Sequence, residues 1–185
     1  MLSVDEGVAA ILAAVEISAP LPTALADTLG MTLADDIVSD IDSPPFDKSL
    51  MDGFAVRAAD VAGGTVTLHV IDEVTAGKLP TKVVRQGEAT RIMTGAPIPD
   101  GADAVVRIEE TCFDAETEIV EISSASTTPE SNLMRRGTSM RRGDRVLPAG
   151  RMLRPQERVA FAQFGAPTVN DRPLPARPVL APGPL

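Results

Sequence analysis

Three short segments of this 185-residue chain carry residue types that could do chemistry. The first, SPPFDKSLMDGFAVR from Ser43 to Arg57, sets Asp47 and Asp52 in an irregular stretch between a proline pair and Gly53. Pro44 and Pro45 stiffen the approach and remove two N–H donors, and Gly53 permits a positive φ or a close backbone approach. Either carboxylate could cap a turn, bind a cation or orient a hydroxyl ligand. The second, RIMTGAPIPDGADAVVRIEE from Arg91 to Glu110, places Thr94 beside Gly95 on a rigid turn. A hydroxyl and backbone N–H groups could converge there on an oxyanion, or the turn could be an ordinary Gly/Pro connector. The third, NLMRRGTSMRRGDRVLPAG from Asn132 to Gly150, carries Arg135, Arg136, Arg141, Arg142 and Arg145. It is either the surface that attracts an anion, through planar guanidinium forks suited to phosphate or pterin-like partners, or a solvated hinge.

Composition narrows what these groups can be used for. With one cysteine, Cys112, and one histidine, His69, the chain can form neither an internal disulfide, a cysteine-based zinc cluster nor a histidine pair. Catalysis would fall to carboxylates, hydroxyls, Lys or Arg. A net charge of −9 with no Trp or Tyr argues against nucleic-acid binding, which needs a basic face and stacking rings. No apolar run suits a membrane span, and the acidic N-terminal stretch is unlike a signal peptide, so a cytosolic setting is expected.

The elements that must hold these segments follow from periodicity. Ser3 and Glu6 form a capping-box pattern at the start of a helix over 3–16, with Val8, Ile11, Leu12 and Val15 on one face. From about 54 to 122 the pattern is strand-like, and TVTLHVID puts Val66, Leu68 and Val70 on one side and Thr67 and His69 on the other, making His69 a solvent-facing strand residue. A second helix is expected from Pro155, with Val159, Ala160 and Phe164 available for burial and Gly165 as its stop. The expected fold class is α+β: a discontinuous mixed domain from 1–50 and 135–168, an inserted β-rich domain over 51–134, and a Pro-rich tail over 169–185 without structure of its own.

In this order, PPFDKSLMDGFAVR, RIMTGAPIPDGADAVVRIEE and NLMRRG…RRGDRVLPAGRML resemble the molybdopterin molybdenumtransferase family, of the MoeA and gephyrin E-domain type, and the likeness extends over about residues 4 to 166. The resemblance implies an elongated, L-shaped homodimer acting in the final step of molybdenum-cofactor synthesis. Such enzymes take adenylylated molybdopterin and molybdate, cleave the adenylate with the help of Mg²⁺ and place molybdenum on the dithiolene sulfurs; the molybdopterin adenylyltransferase is a further candidate partner. By motif, Asp52 would be the functional carboxylate and the Mg²⁺ ligand, and Thr94 the functional hydroxyl, donating to an oxyanion. Arg135 and Arg136, with Asp47 and Gly95, would meet the anionic ligand. The sequence departs from the family pattern at Lys48 (usually Asn), at Leu50 (usually Ala), and at Thr138 and Ser139, where the family has an acidic pair. The family's α/β molybdopterin-binding domain and C-terminal β domain have no counterpart in these residues. The expectation is a truncated chain carrying one wall of the active site, inactive or weakly active alone; the alternative is a non-catalytic dimerisation module that pairs with a separate chain.

Overall fold

Ser3 opens the first helix as its spacing to Glu6 predicts: its hydroxyl accepts the Glu6 N–H at 3.2 Å and its own N–H donates to Glu6 Oε2 at 2.8 Å. The computed structural model describes residues 3–124, 126–163 and 168–172. Two compact units emerge, one from residues up to Asp40 together with those from Gly143 onward, the other from Ile41 to Arg142. The crossings thus fall earlier than position 50 and later than 135. Residues 41–50 and 135–142 are tied into the second unit by strand pairing and by ion pairs described below, so they do not behave as linkers.

The first unit begins with α1 (Val4–Ala14), β1 (Leu21–Ala24), β2 (Thr32–Leu33) and β3 (Ile37–Val38). The apolar face predicted for burial on α1 is not buried in this chain: Val8, Ile11, Leu12 and Val15 are all at least half exposed, and the helix has no buried residue.

The second unit holds β4 (Lys48–Ser49), β5 (Gly53–Val56), α2 (Ala58–Val61), β6 (Thr65–Val74), β7 (Glu88–Ile92), β8 (Ala104–Arg107), β9 (Thr111–Asp114), β10 (Ile119–Ser123) and β11 (Leu133–Met134). Six of these form one sheet in the order β8-β5-β7-β6-β10-β9, in which β6 and β7 run parallel and every other neighbour is antiparallel. Both faces of β5 are covered. Phe54 and Val56 join a core with Val61, Leu68, Val106, Val120 and Ile122, while Ala55 joins Val74, Ile92, Ala96 and Val105 on the other side. That is why this strand reads as continuously apolar rather than alternating. On β6, Leu68 and Val70 are buried and Thr67 and His69 exposed, as the alternation predicts. The β6–β7 register slips between Val70 and Asp72, leaving Ile71 as a bulge.

The chain then returns to the first unit through β12 (Arg145–Leu147), α3 (Pro155–Gln163) and β13 (Thr168–Arg172). Residues 169–172, assigned from the sequence to an unstructured tail, instead lie in the central strand of the sheet β1-β13-β2. Val169 and Asp171 point inward and Thr168 and Asn170 outward, a two-residue alternation masked by the prolines that follow. Positions 173–185 lie outside the described residues, as do Phe164 and Gly165. On α3 the buried apolar residue is Phe161, packed with Leu33, Leu153 and Val169, whereas Val159 is exposed. Glu157 and Phe161, four apart, share the inward face, and Val159 falls between them on the opposite side.

Glu157 is only 4% exposed and is held by Arg154, then Arg151, with the Arg154 N–H donating as well. The hydrogen bonds from Arg154 outweigh the cost of burial and bring its carboxyl down to about 2 from the ordinary 4.5. A depressed carboxyl stabilises the fold above its unfolded value and loses that contribution as pH falls through the folded one. Thermal melts are therefore expected to decline from about pH 4.5 towards pH 2, and Glu157→Gln should flatten that decline while lowering the melting temperature at pH 7.

Candidate functional site

The Asp52 loop is shaped by short-range bonds from residues on either side. Ser49, almost fully buried on β4, donates its hydroxyl to the Met51 carbonyl at 2.5 Å and accepts the Met51 N–H at 3.2 Å. Its backbone reaches the Thr94 turn: Ser49 N–H donates to Ala96 O at 3.0 Å and Gly95 N–H donates to Ser49 O at 2.9 Å. Leu50 N–H donates to Asn132 O, and Asn132 anchors itself through its amide to the Val105 carbonyl. Ile108 N–H donates to Asp52 O at 3.0 Å, where β5 begins. Neither Ser49 nor Asn132 stood out in the sequence. The signal for Ser49 was a hydroxyl two residues before a carbonyl it could cap, a pattern too common to single out.

This stitching brings together two candidates that are 42 residues apart. Thr94 donates both its N–H, at 2.6 Å, and its hydroxyl, at 2.8 Å, to the same oxygen of Asp52, Oδ1. The Thr94 N–H, and after it the hydroxyl, holds the Asp52 carboxyl below the ordinary 3.8. No described residue donates to Oδ2. The exposed carboxylate is therefore charged at neutral pH, fixed through one oxygen and open at the other, with Leu50 and Met51 exposed beside it. The Thr94 hydroxyl proton is directed at Asp52 and the Gly95 N–H at Ser49, so neither points its donor at an external oxyanion in this arrangement.

Asp47, Arg135 and Arg136 form a separate cluster. Arg135 donates to Asp47 Oδ2 at 2.5 Å and to both oxygens of Glu130, while the Arg136 N–H donates to Asp47 Oδ1 at 2.7 Å. Burial opposes ionisation of Asp47, but the Arg136 N–H and the Arg135 guanidinium outweigh it and leave the carboxyl below its ordinary value. Bonds from Glu130 and Asp47 raise Arg135 further. Arg136 reaches Asp42 at 2.6 Å, and Asp42 also accepts the Arg142 N–H. The arginines expected to meet a ligand are thus paired with carboxylates of their own chain. At the departures from the family pattern, Thr138 closes a turn by donating to Arg135 O, and Ser139 N–H donates to Ser43 O at 2.9 Å.

A cation here would have few protein ligands. Among the described residues no group of three or more His, Cys, Asp or Glu is arranged to hold a metal. Of the carboxylates singled out in the sequence, Asp47 is spent on Arg135 and Arg136, and Asp52 keeps Oδ2 without a donor from a described residue.

A family model described as the MoeA N-terminal region (domain I and II) matches residues 2–165. The chain belongs to this family. The molybdopterin molybdenumtransferase of Staphylococcus aureus is 38% identical over 167 residues, which are 88% of this chain and 39% of the relative. The Staphylococcus epidermidis protein of the same name is 37% identical over 163 residues, 86% of this chain and 38% of that one. A crystal structure of the molybdopterin biosynthesis MoeA protein from Pyrococcus horikoshii OT3 superimposes with a TM-score of 0.79 at 32% identity, covering 85% of this chain and 42% of that one. The α+β class expected from the sequence is the architecture of this MoeA neighbour. The chain spans about 39% of the length of the first of these relatives. Among the described residues, no helix is long and apolar enough to cross a membrane.

Proposed function

We propose that this chain supplies the Asp52–Thr94 part of the active site of a molybdopterin molybdenumtransferase, which transfers molybdenum from molybdate to adenylylated molybdopterin. The observation that carries the reading is the double donation from Thr94 to Asp52 Oδ1, which joins the first two motif segments into one preorganised, charged group. In this reading the chain's own residues do three things. Thr94 orients the Asp52 carboxylate, Ser49 holds the loop that carries it, and Oδ2 is left to meet a Mg²⁺ or its water shell near the diphosphate. When bound, that ion would neutralise phosphate charge as the adenylate is cleaved.

Arg135 and Arg136 act as positioning residues that fasten the segment carrying Asp47 to the loop after β11, and Asp47 is their anchor. Gly95 serves the turn through its N–H bond to Ser49.

The test is a chimera in which residues 3–163 replace the matching region of the Staphylococcus aureus enzyme. Cofactor formed from adenylylated molybdopterin and molybdate should appear with the chimera and be weak or absent with the chain alone. A chimera that folds, binds Mg²⁺ and substrate, and makes no cofactor would sink the proposal.

The unburied face of α1 supports a homodimer. An 11-residue helix is marginal in water unless it covers its apolar side, and among the described residues this one has no buried position. Light scattering should give the mass of two copies, falling to one in Leu12→Asp; a monomeric parent chain would exclude self-association through this face.

A further inference from the structure

Three positive charges without a carboxylate among the described residues lie close together in a connection outside the arginine-rich segment. In that segment Arg135, Arg136 and Arg145 are paired with Asp47, Glu130, Asp42 and Asp36. The connection from β6 to β7, residues 75–87, carries Lys78, Lys82 and Arg85 and no acidic residue, in a chain of net charge −9. None of these three forms an ion pair among the described residues.

The connection is fastened rather than loose. Thr81 donates its hydroxyl to Asp72 Oδ2 at 3.1 Å, Val84 is buried with its N–H on Asp100 O at 2.8 Å, and Lys82 donates to the carbonyl of the bulged Ile71 at 2.5 Å. A cleft of about 480 Å³ is lined by residues of this connection, among them Lys82 and Arg85, together with His69, Ile71, Glu88 and Glu118. That volume lies in the range of small-molecule sites.

The lining has a definite polarity. Among the described residues the Arg85 guanidinium and the His69 ring engage no partner, and Lys82 spends one of its three protons on Ile71 O. Opposing them, Glu88 already accepts the Arg85 N–H through Oε2 at 2.9 Å, and the Glu118 carboxylate accepts from no described residue. Arg and Lys together suit a phosphate, the guanidinium by a two-pronged contact and the ammonium as a point charge. The two carboxylates disfavour a bare anion and favour a ligand that also brings a donor. We propose that this cleft binds a small phosphate monoester bearing a hydroxyl or amine close to the phosphate, a site separate in chemistry from the Asp52 group and independent of its assignment.

His69 is the only histidine, so its ring proton resonance reports on this cleft alone in the full chain. Titration with O-phosphoserine should shift that resonance saturably, while L-serine, and sodium chloride at matched ionic strength, should not. Arg85→Gln should weaken the affinity at least tenfold and Lys82→Gln somewhat less, with Arg142→Gln unchanged. A linear shift, one reproduced by chloride or by L-serine, or one that survives Arg85→Gln in a folded variant would overturn the proposal.

Discussion

Asp52→Asn, placed in the chimera with the Staphylococcus aureus enzyme, is expected to lower cofactor formation by about 100-fold or more, the usual scale for losing a preorganised charge at a reacting centre. The amide oxygen can still accept both Thr94 donors, so the loop and the melting temperature should be retained. What changes is the outward position: a charged acceptor at Oδ2 becomes an uncharged donor, wrong for a cation and repelled by one. Thr94→Val separates charge from orientation. It leaves the carboxylate but removes the hydroxyl bond, so the Asp52 carboxyl should rise towards the ordinary 3.8, readable by carbon NMR, with a smaller loss of activity. Full activity in Asp52→Asn would mean that the exposed carboxylate is only a turn residue. An unmoved Asp52 titration in Thr94→Val would mean the hydroxyl does not reach it in solution.

Gly53→Ala is expected to be the most damaging single methyl in the second unit, costing on the order of 3 kcal/mol and lowering its melting temperature by on the order of 15 °C. A Cβ at this position would lie 1.9 Å from the Val106 carbonyl oxygen and 3.0 Å from the Ile108 nitrogen. Both obstacles are backbone. Gly53 pairs with Ile92 on one side and Arg107 on the other, so relief would require parting β5 from the edge strand β8. Gly63→Ala is the matched control, because its added carbon meets nothing within 4 Å. Circular dichroism melts decide the matter; a Gly53→Ala variant melting with the parent would show that the two strands do not approach so closely.

The candidate site was legible in the sequence as far as residue types go, and its wiring was not. Asp52 and Thr94 stood out because a carboxylate and a hydroxyl each sat beside glycine in irregular chain. That they bond each other could not be read, since the contact joins segments 42 residues apart. The pairing of the arginines was hidden for a related reason. A cluster of like charge looks free in one dimension, yet Asp42, Asp47 and Glu130 close on it from other turns. The first helix was legible locally, through Ser3 and Glu6, but periodicity reports only that a face is apolar, not what covers it. On α3 the start at Pro155 was legible, but Val159, Ala160 and Phe164 were expected inside instead of Phe161, because the inward side is the one on which Arg151 and Arg154 hold the buried carboxylate of Glu157.

The placement of β13 between β1 and β2 has a consequence for synthesis. The second unit is one continuous stretch, Ile41 to Arg142, and can complete its sheet as soon as that stretch has been translated. The first unit cannot. Its two early strands do not pair with each other, and the strand that joins them is made last. During the interval both present open edges, the condition under which chains pair wrongly with neighbours. A nascent chain arrested after residue 163 should therefore hold a finished inserted unit beside a half-built one. Protease protection on the ribosome would appear first in the middle of the sequence and only later at its beginning.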